Sequence, residues 1–299
     1  MHWRVIRLEI YVFTMQRKIQ GWNNVFESKA LSFYLLMLCA FLFSACIGDN
    51  RLELKSTPQT ISPTNTFELI PFESDEQEIQ FKSSDGTWLT GQFDWVKNST
   101  KTPLVFIIHH SGPVDRDSYQ YMAAFLVPAG YSVFRFDKRG TGSSGGTYGC
   151  CEAEDALAAY KAVFQQRHRS LSKVFIIAQS IGTQILASRY DDFQKVYPPD
   201  GVILLSNLLE GNDIIPIKSK VHIIISDQEP NLEKIGVEAA SAHRRVHQNG
   251  ASVFIVKHTE HTLFDVSEGP IDWNDPGWPY RFSDLAKESI LKWLEENND

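Results

Sequence analysis

The stretch Lys173-Val-Phe-Ile-Ile-Ala-Gln-Ser180-Ile-Gly182, which continues as Thr-Gln-Ile-Leu-Ala-Ser-Arg-Tyr190, decides the fold. Val174 to Ala178 is a short run of Val, Phe and Ile that reads as a buried strand, and Ile181 to Tyr190 is amphipathic at helical spacing. Ser180 therefore stands where a strand turns sharply into a helix. Ala178 and Gly182 flank it at minus two and plus two, where a tight turn brings two backbones too close for larger side chains. Such a turn exposes the hydroxyl at the sheet edge and aims the helix N-terminus, with the Ile181 N–H, at whatever binds there. The plain alternative is an ordinary strand-to-helix connection in which the serine caps the helix.

Working outward, strands and helices alternate. Glu78 to Phe81 and Trp88 to Val96 are strand-like runs around Ser-Ser-Asp-Gly, a hairpin signal. Strands are then predicted at Pro103 to His109, Tyr131 to Phe136, Gly201 to Leu205, Val221 to Ile225 and Ala251 to Val256. Helices are predicted at Tyr119 to Val127, Glu152 to Gln166, Asn231 to about Gln248, and Asp284 to Glu296 behind the cap Ser283. Alternation with continuous apolar strands predicts an α/β protein: a mostly parallel central sheet with helices on both faces, led by an antiparallel hairpin. The short span between Leu205 and Val221 leaves room for only a minimal cap. In such sheets ligands bind beyond the strand carboxyl ends.

The N-terminus differs in kind. Ala30 to Cys46, ALSFYLLMLCAFLFSAC, is apolar and uncharged, with Arg17, Lys18 and Lys29 before it and polar residues after it. That is the layout of a secretory signal. Its end, Phe43-Ser44-Ala45-Cys46, resembles the lipobox of bacterial lipoproteins, in which the cysteine is lipidated. An uncleaved apolar anchor is the alternative. The expected organisation is a signal or anchor at 1–46, a Ser/Thr/Pro-rich linker at 47–76, and a globular domain at 77–299 on the outer side of a membrane in the bacterial cell envelope. A net charge of −7 with no long basic cluster argues against a nucleic-acid partner. Of the four cysteines, Cys39 lies in the apolar stretch and Cys46 is the lipidation candidate. The adjacent pair Cys150-Cys151 can form a strained vicinal disulfide or carry two thiols; no structural role is expected.

A serine hydroxyl becomes a useful nucleophile only with a general base, an acid to orient that base, and donors for the oxyanion. The last strand leads into Lys257-His258-Thr-Glu-His261, and His261, lying in the loop beyond the strand, is favoured over His258 as base. The preceding strand leads into Ser226-Asp227-Gln-Glu229-Pro230, where either carboxylate can hold an imidazole tautomer. The turn His109-His110-Ser111-Gly112-Pro113 can present the Ser111 N–H to the point faced by the Ile181 N–H. Asp137-Lys-Arg139-Gly140-Thr-Gly142-Ser-Ser-Gly-Gly146 looks superficially like a phosphate cradle. It lacks the lysine placement of one, and reads as a structural turn with Asp137 and Arg139 in a local network. The loose HExxH likeness at His258 and His261 does not predict zinc.

With these residues in order, the domain from about Glu78 onward resembles an α/β-hydrolase of the carboxylesterase or dienelactone-hydrolase-like type. HHSGP is similar to the family's HGSGP turn, DKRGTGSSGG to its DxRGxGxS turn, AQSIG to its nucleophile elbow, SDQEP to GEKDP, and EHTLF to the histidine loop. The resemblance implies the α/β-hydrolase fold and a triad of Ser180, Glu229 and His261, leaving Asp227 one step too early. Ser111 and Ile181 would supply the oxyanion hole. It also implies hydrolysis of a small carboxylic ester through an acyl-enzyme, with no metal or organic cofactor. A peptidase of the same fold and a non-catalytic binding module are the rivals. His110 stands where the family has glycine, which predicts a narrowed oxyanion site or a strained backbone. The loop Trp273 to Tyr280 is expected either to wall the pocket or to pack the last helix.

Overall fold

The computed structural model describes residues 74–99, 101–165 and 170–298. The signal at 1–46 with Cys46, and the linker as far as residue 73, lie outside the described residues. Eight strands form one sheet in the order β1-β2-β4-β3-β5-β6-β7-β8. They are β1 (Ser74–Lys82), β2 (Trp88–Val96), β3 (Lys101–Ile108), β4 (Ser132–Phe136), β5 (Ser170–Gln179), β6 (Gly201–Leu205), β7 (Lys220–Ser226) and β8 (Ala251–Val256). β1 runs antiparallel to β2 and β2 antiparallel to β4, and every other pairing is parallel. The α/β-hydrolase fold expected from the sequence is thus the fold observed.

Alternation along the central strands divides the core in two. Phe106, Ile108, Val174, Ile176 and Ala178 face one cluster, with side chains of α2 (Glu152–Gln165), α3 (Ile181–Val196) and α4 (Ala239–Val246). Val105, Ile107, Phe175 and Ile177 face the other, with α1 (Gln120–Leu126) and α5 (Asp284–Glu296). Successive side chains of a strand point to opposite faces, so a strand buried on both sides must be apolar throughout. The connection from β6 to β7 holds only a 3-10 turn, Gly211–Ile214, as the minimal cap requires.

Several boundaries differ from the sequence reading for physical reasons. β1 takes in Ser74, Asp75 and Glu76, because pairing with Val96, Trp95 and Asp94 of β2 extends a strand whose side chains are mostly solvated. Pro103 lies inside β3, where the register with β5 shifts between Thr102 and Leu104; a residue without an N–H is tolerated at such an irregularity. The helix after Asn231 opens with a π-turn, Glu233–Glu238, before α4. No described helix is long and apolar enough to cross a membrane.

Candidate active site

The carboxyl ends of β3, β5, β7 and β8 bring the candidate residues to one rim. Ser180 has φ 54° and ψ −119°, a backbone that costs a non-glycine residue about 1–3 kcal/mol. Its N–H donates to the Leu205 carbonyl at 2.9 Å, and Thr183 Oγ1 donates to the Ser180 carbonyl at 2.7 Å. Gly182 explains how the helix fits: a Cβ there would lie 2.7 Å from the Ile108 carbonyl oxygen and 2.9 Å from that of His109. The hydroxyl does not cap α3. Instead Ser180 Oγ lies 2.9 Å from His261 Nε2, and the other ring nitrogen, Nδ1, donates to Glu229 Oε1. The three side chains form one hydrogen-bonded chain.

Asp227 and His258 stand apart from that chain. Both are exposed, and His258 has φ 61°. The hydrogen bond that His261 donates to Glu229 raises the His261 pKa above its ordinary value, against the opposing effect of burial. Two further groups, which the sequence reading missed, hold this loop. Ser206 Oγ donates to the His261 carbonyl. Glu260 folds back on its own loop, accepting from Thr262 N at 2.9 Å and Phe264 N at 3.2 Å and from the Thr262 hydroxyl. The sequence signal was available only as an acid two and four residues before the amides it receives.

The oxyanion candidates sit on a braced turn. No acceptor engages the Ser111 or Ile181 N–H among the described residues. His110 is not in the left-handed region, so the strain expected from a histidine at this position is absent. Its N–H donates to Tyr119 Oη at 2.8 Å and its carbonyl accepts from Lys138 Nζ at 2.5 Å. The Gly112 N–H donates to Tyr148 Oη at 2.9 Å. Burial, aided by the Lys138 charge and opposed by the contact with the Ser111 carbonyl, holds the His110 pKa below its ordinary value.

The turn after β4 is structural, as read. Asp137 accepts from Arg116 N at 2.9 Å and Ser143 N at 2.8 Å, and Arg139 grips Asp155 through two bonds of 2.9 and 2.7 Å. Cys150 and Cys151 are exposed free thiols with their sulfurs 2.7 Å apart. Among the described residues no cluster of His, Cys, Asp or Glu could hold a metal ion.

A cleft of about 420 Å³ has Gln179 and Thr262, the chain neighbours of Ser180 and His261, in its lining. Tyr121, Phe264, Trp273 and Trp278 form its aromatic wall, with His110, Val114 and Ser118 completing the lining. Trp273 and Trp278 lie with ring centroids 5.5 Å apart, each 5.3 Å from Phe264. The loop from Trp273 therefore walls the cleft, while Tyr280 at its end is 64% exposed.

A sheet of this order with a serine at the strained elbow defines a serine hydrolase of the α/β-hydrolase class. Residues 101–259, more than half of the chain, match the family model described as serine aminopeptidase, S33, and the chain belongs to that family. Among solved structures it is similar to an esterase of Pyrococcus furiosus, at 16% identity and TM-score 0.59, over 84% of this chain and 100% of that one. It is also similar to brefeldin A esterase, a bacterial homologue of human hormone sensitive lipase, at 15% identity and TM-score 0.56, over 84% and 80%. A dienelactone hydrolase-like promiscuous phosphotriesterase from metagenomic libraries matches at 18% identity and TM-score 0.53, over 74% and 98%. At these identities the likeness is one of fold. No curated protein matches the chain.

Proposed function

We propose that the protein is a serine esterase acting through an acyl-enzyme on Ser180. The observation that carries this reading is the Ser180 Oγ–His261 Nε2 contact of 2.9 Å at a serine whose hydroxyl leaves its own helix uncapped. His261 takes the proton of Ser180 as Oγ attacks the ester carbonyl. Glu229 holds the Nδ1–H tautomer and stabilises the imidazolium. The Ser111 and Ile181 N–H groups receive the oxyanion. His261 then protonates the departing alcohol, and water, deprotonated by the same ring, releases the acid.

The aromatic cleft suits an apolar acyl or aryl group. A family described as serine aminopeptidases raises the alternative of peptide substrates, whose free amine calls for a carboxylate. Among the described residues none that lines the cleft carries one, which favours the ester. We extend the proposal to the N-terminus: residues 1–46 direct export and Cys46 carries the lipid, so that Cys46→Ser blocks incorporation of labelled fatty acid in cells.

The test is labelling with a fluorophosphonate probe, followed by turnover of short p-nitrophenyl esters against aminoacyl anilides. Labelling that Ser180→Ala and His261→Ala both abolish, with esters turned over faster than anilides, is the expected outcome. An unlabelled, folded wild type would overturn the catalytic reading in favour of a binding module.

A further inference from the structure

We infer that Tyr119 and Gln179 are positioning residues which lock the oxyanion turn, the nucleophile elbow and the histidine loop together through one buried chain of hydrogen bonds. The inference rests on the reading of Ser111, Ser180 and His261 as the reacting groups. Tyr119 is fully buried and Gln179 is 1% exposed. The His110 N–H donates to Tyr119 Oη at 2.8 Å, the Tyr119 hydroxyl donates to Gln179 Oε1 at 2.7 Å, and Gln179 Nε2 donates to the Thr262 carbonyl at 3.1 Å. Each link touches the neighbour of a reacting group: His110 precedes Ser111, Gln179 precedes Ser180, and Thr262 follows His261.

The sheet alone cannot do this. β3 and β5 are paired, but β6 and β7 lie between β5 and β8, so no direct strand pairing joins the elbow to the histidine loop. A side chain has to span the rim, and the Gln179 amide does. The direction of the chain is fixed at every step. A backbone N–H can only donate and a backbone carbonyl only accept, so the phenol must donate to Oε1 and the amide nitrogen must face Thr262. Burial keeps the Tyr119 phenol neutral, with its pKa well above the ordinary range, and so preserves its proton for that bond. With the Ser206 hydroxyl on the His261 carbonyl, two successive carbonyls of the histidine loop are held from neighbouring strand ends.

Only this polarity works, which makes the variants informative. Tyr119→Phe removes a donor and an acceptor and leaves the His110 N–H and Gln179 Oε1 unpaired. Gln179→Glu keeps the size but sets a carboxylate against the Thr262 carbonyl, which cannot donate to it. Gln179→Leu removes both functions.

The experiment measures kcat and KM for p-nitrophenyl acetate with Tyr119→Phe, Gln179→Glu, Gln179→Leu and the Tyr119→Phe/Gln179→Leu double variant. Fluorophosphonate titration normalises each rate to competent sites. Misplacing reacting groups by a fraction of an ångström lowers turnover without weakening ground-state binding. Each single variant is expected to lose about 10- to 100-fold in kcat, with KM held within about twofold. The double variant should fall no further than the worse single, because either cut breaks the same chain. A Gln179→Glu enzyme with wild-type kcat would reduce the residue to a space filler and overturn the inference. So would losses that multiply in the double variant, or that vanish on normalisation.

Hydrogen exchange at the His110 amide tests the lock without activity. It should quicken in Tyr119→Phe, and unchanged exchange would overturn the lock even if Ser180 proved silent. Failure of the esterase reading is separately visible as a folded wild type that does not label.

Discussion

Replacing Lys138 by methionine isolates what one hidden ammonium does for the oxyanion site. Lys138 has a side chain only 6% exposed, yet its Nζ donates to the His110 carbonyl at 2.5 Å and lies 3.3 Å from Glu152 Oε2. The carbonyl of His110 and the N–H of Ser111 belong to one trans peptide plane and point in opposite directions. Pinning the oxygen on Lys138 therefore pins the N–H on the far side. A hydrogen bond from a charged donor contributes about 1.5–3 kcal/mol, and that is the restraint lost in Lys138→Met. Outright removal of an oxyanion donor costs about 10²–10³ in kcat. Here the donor stays but its aim loosens, so a fall of about 10- to 100-fold is expected, with KM nearly unchanged. Stability should change little, because burial already disfavours the Lys138 charge and lowers its pKa, and methionine fills the same space without that penalty. Steady-state hydrolysis of a p-nitrophenyl ester, corrected by active-site titration, measures it. A wild-type kcat in a folded Lys138→Met enzyme would refute the pinned-peptide reasoning.

Glu229→Gln should lower kcat by about 10²–10⁴-fold. It should also move the acidic limb of kcat/KM to lower pH, because the carboxylate is the first cause of the raised His261 pKa and the base works only when neutral. The stability the pair contributes is complete below the ordinary histidine value of 6.5 and fades as pH rises through the raised pKa; urea titrations at pH 6 and 9 would register it. Gly182→Ala should destabilise by about 1–3 kcal/mol and depress turnover as well, since its Cβ would press on the Ile108 and His109 carbonyls at the root of the oxyanion turn; thermal melts and kinetics on one sample test both. Trp278→Ala should reduce the preference for octanoyl over acetyl p-nitrophenyl esters by about tenfold, because an apolar wall of the cleft is lost.

Much of this architecture was written locally. Val174 to Ala178 could only be a doubly buried strand, and Gly182 beside Ser180 marked a close approach that the 2.7 Å gap to the Ile108 carbonyl makes concrete. The candidate serine, acid and base each followed a recognisable apolar run, so their order was legible too. What stayed hidden was set by distant partners. The polar start of β1 is a strand only because β2 supplies hydrogen bonds. Tyr119 reads as an amphipathic helix residue, and nothing around it in sequence points to Gln179, sixty positions away. The residues alone left Asp227 and Glu229 open and only the resemblance singled out Glu229; the physical reason lies in the loop's path, which turns the one toward solvent and the other toward His261.

The left-handed residues of the sheet suggest how an engineer should divide the molecule. Ser180, Ser206 and His258 have φ of 54°, 51° and 61° and follow the carboxyl ends of β5, β6 and β8, whereas Asn98, with φ 64°, lies in the connection from β2 to β3 at the opposite rim. Glycine relieves each such backbone. Asn98→Gly should therefore raise the melting temperature and leave turnover intact. Ser180→Gly should raise it too, and abolish covalent labelling in the same stroke. A thermal screen blind to activity would rank the two alike. On this sheet thermostability can be gained freely at Asn98, while at Ser180 the stabilising substitution is the one that disarms the protein.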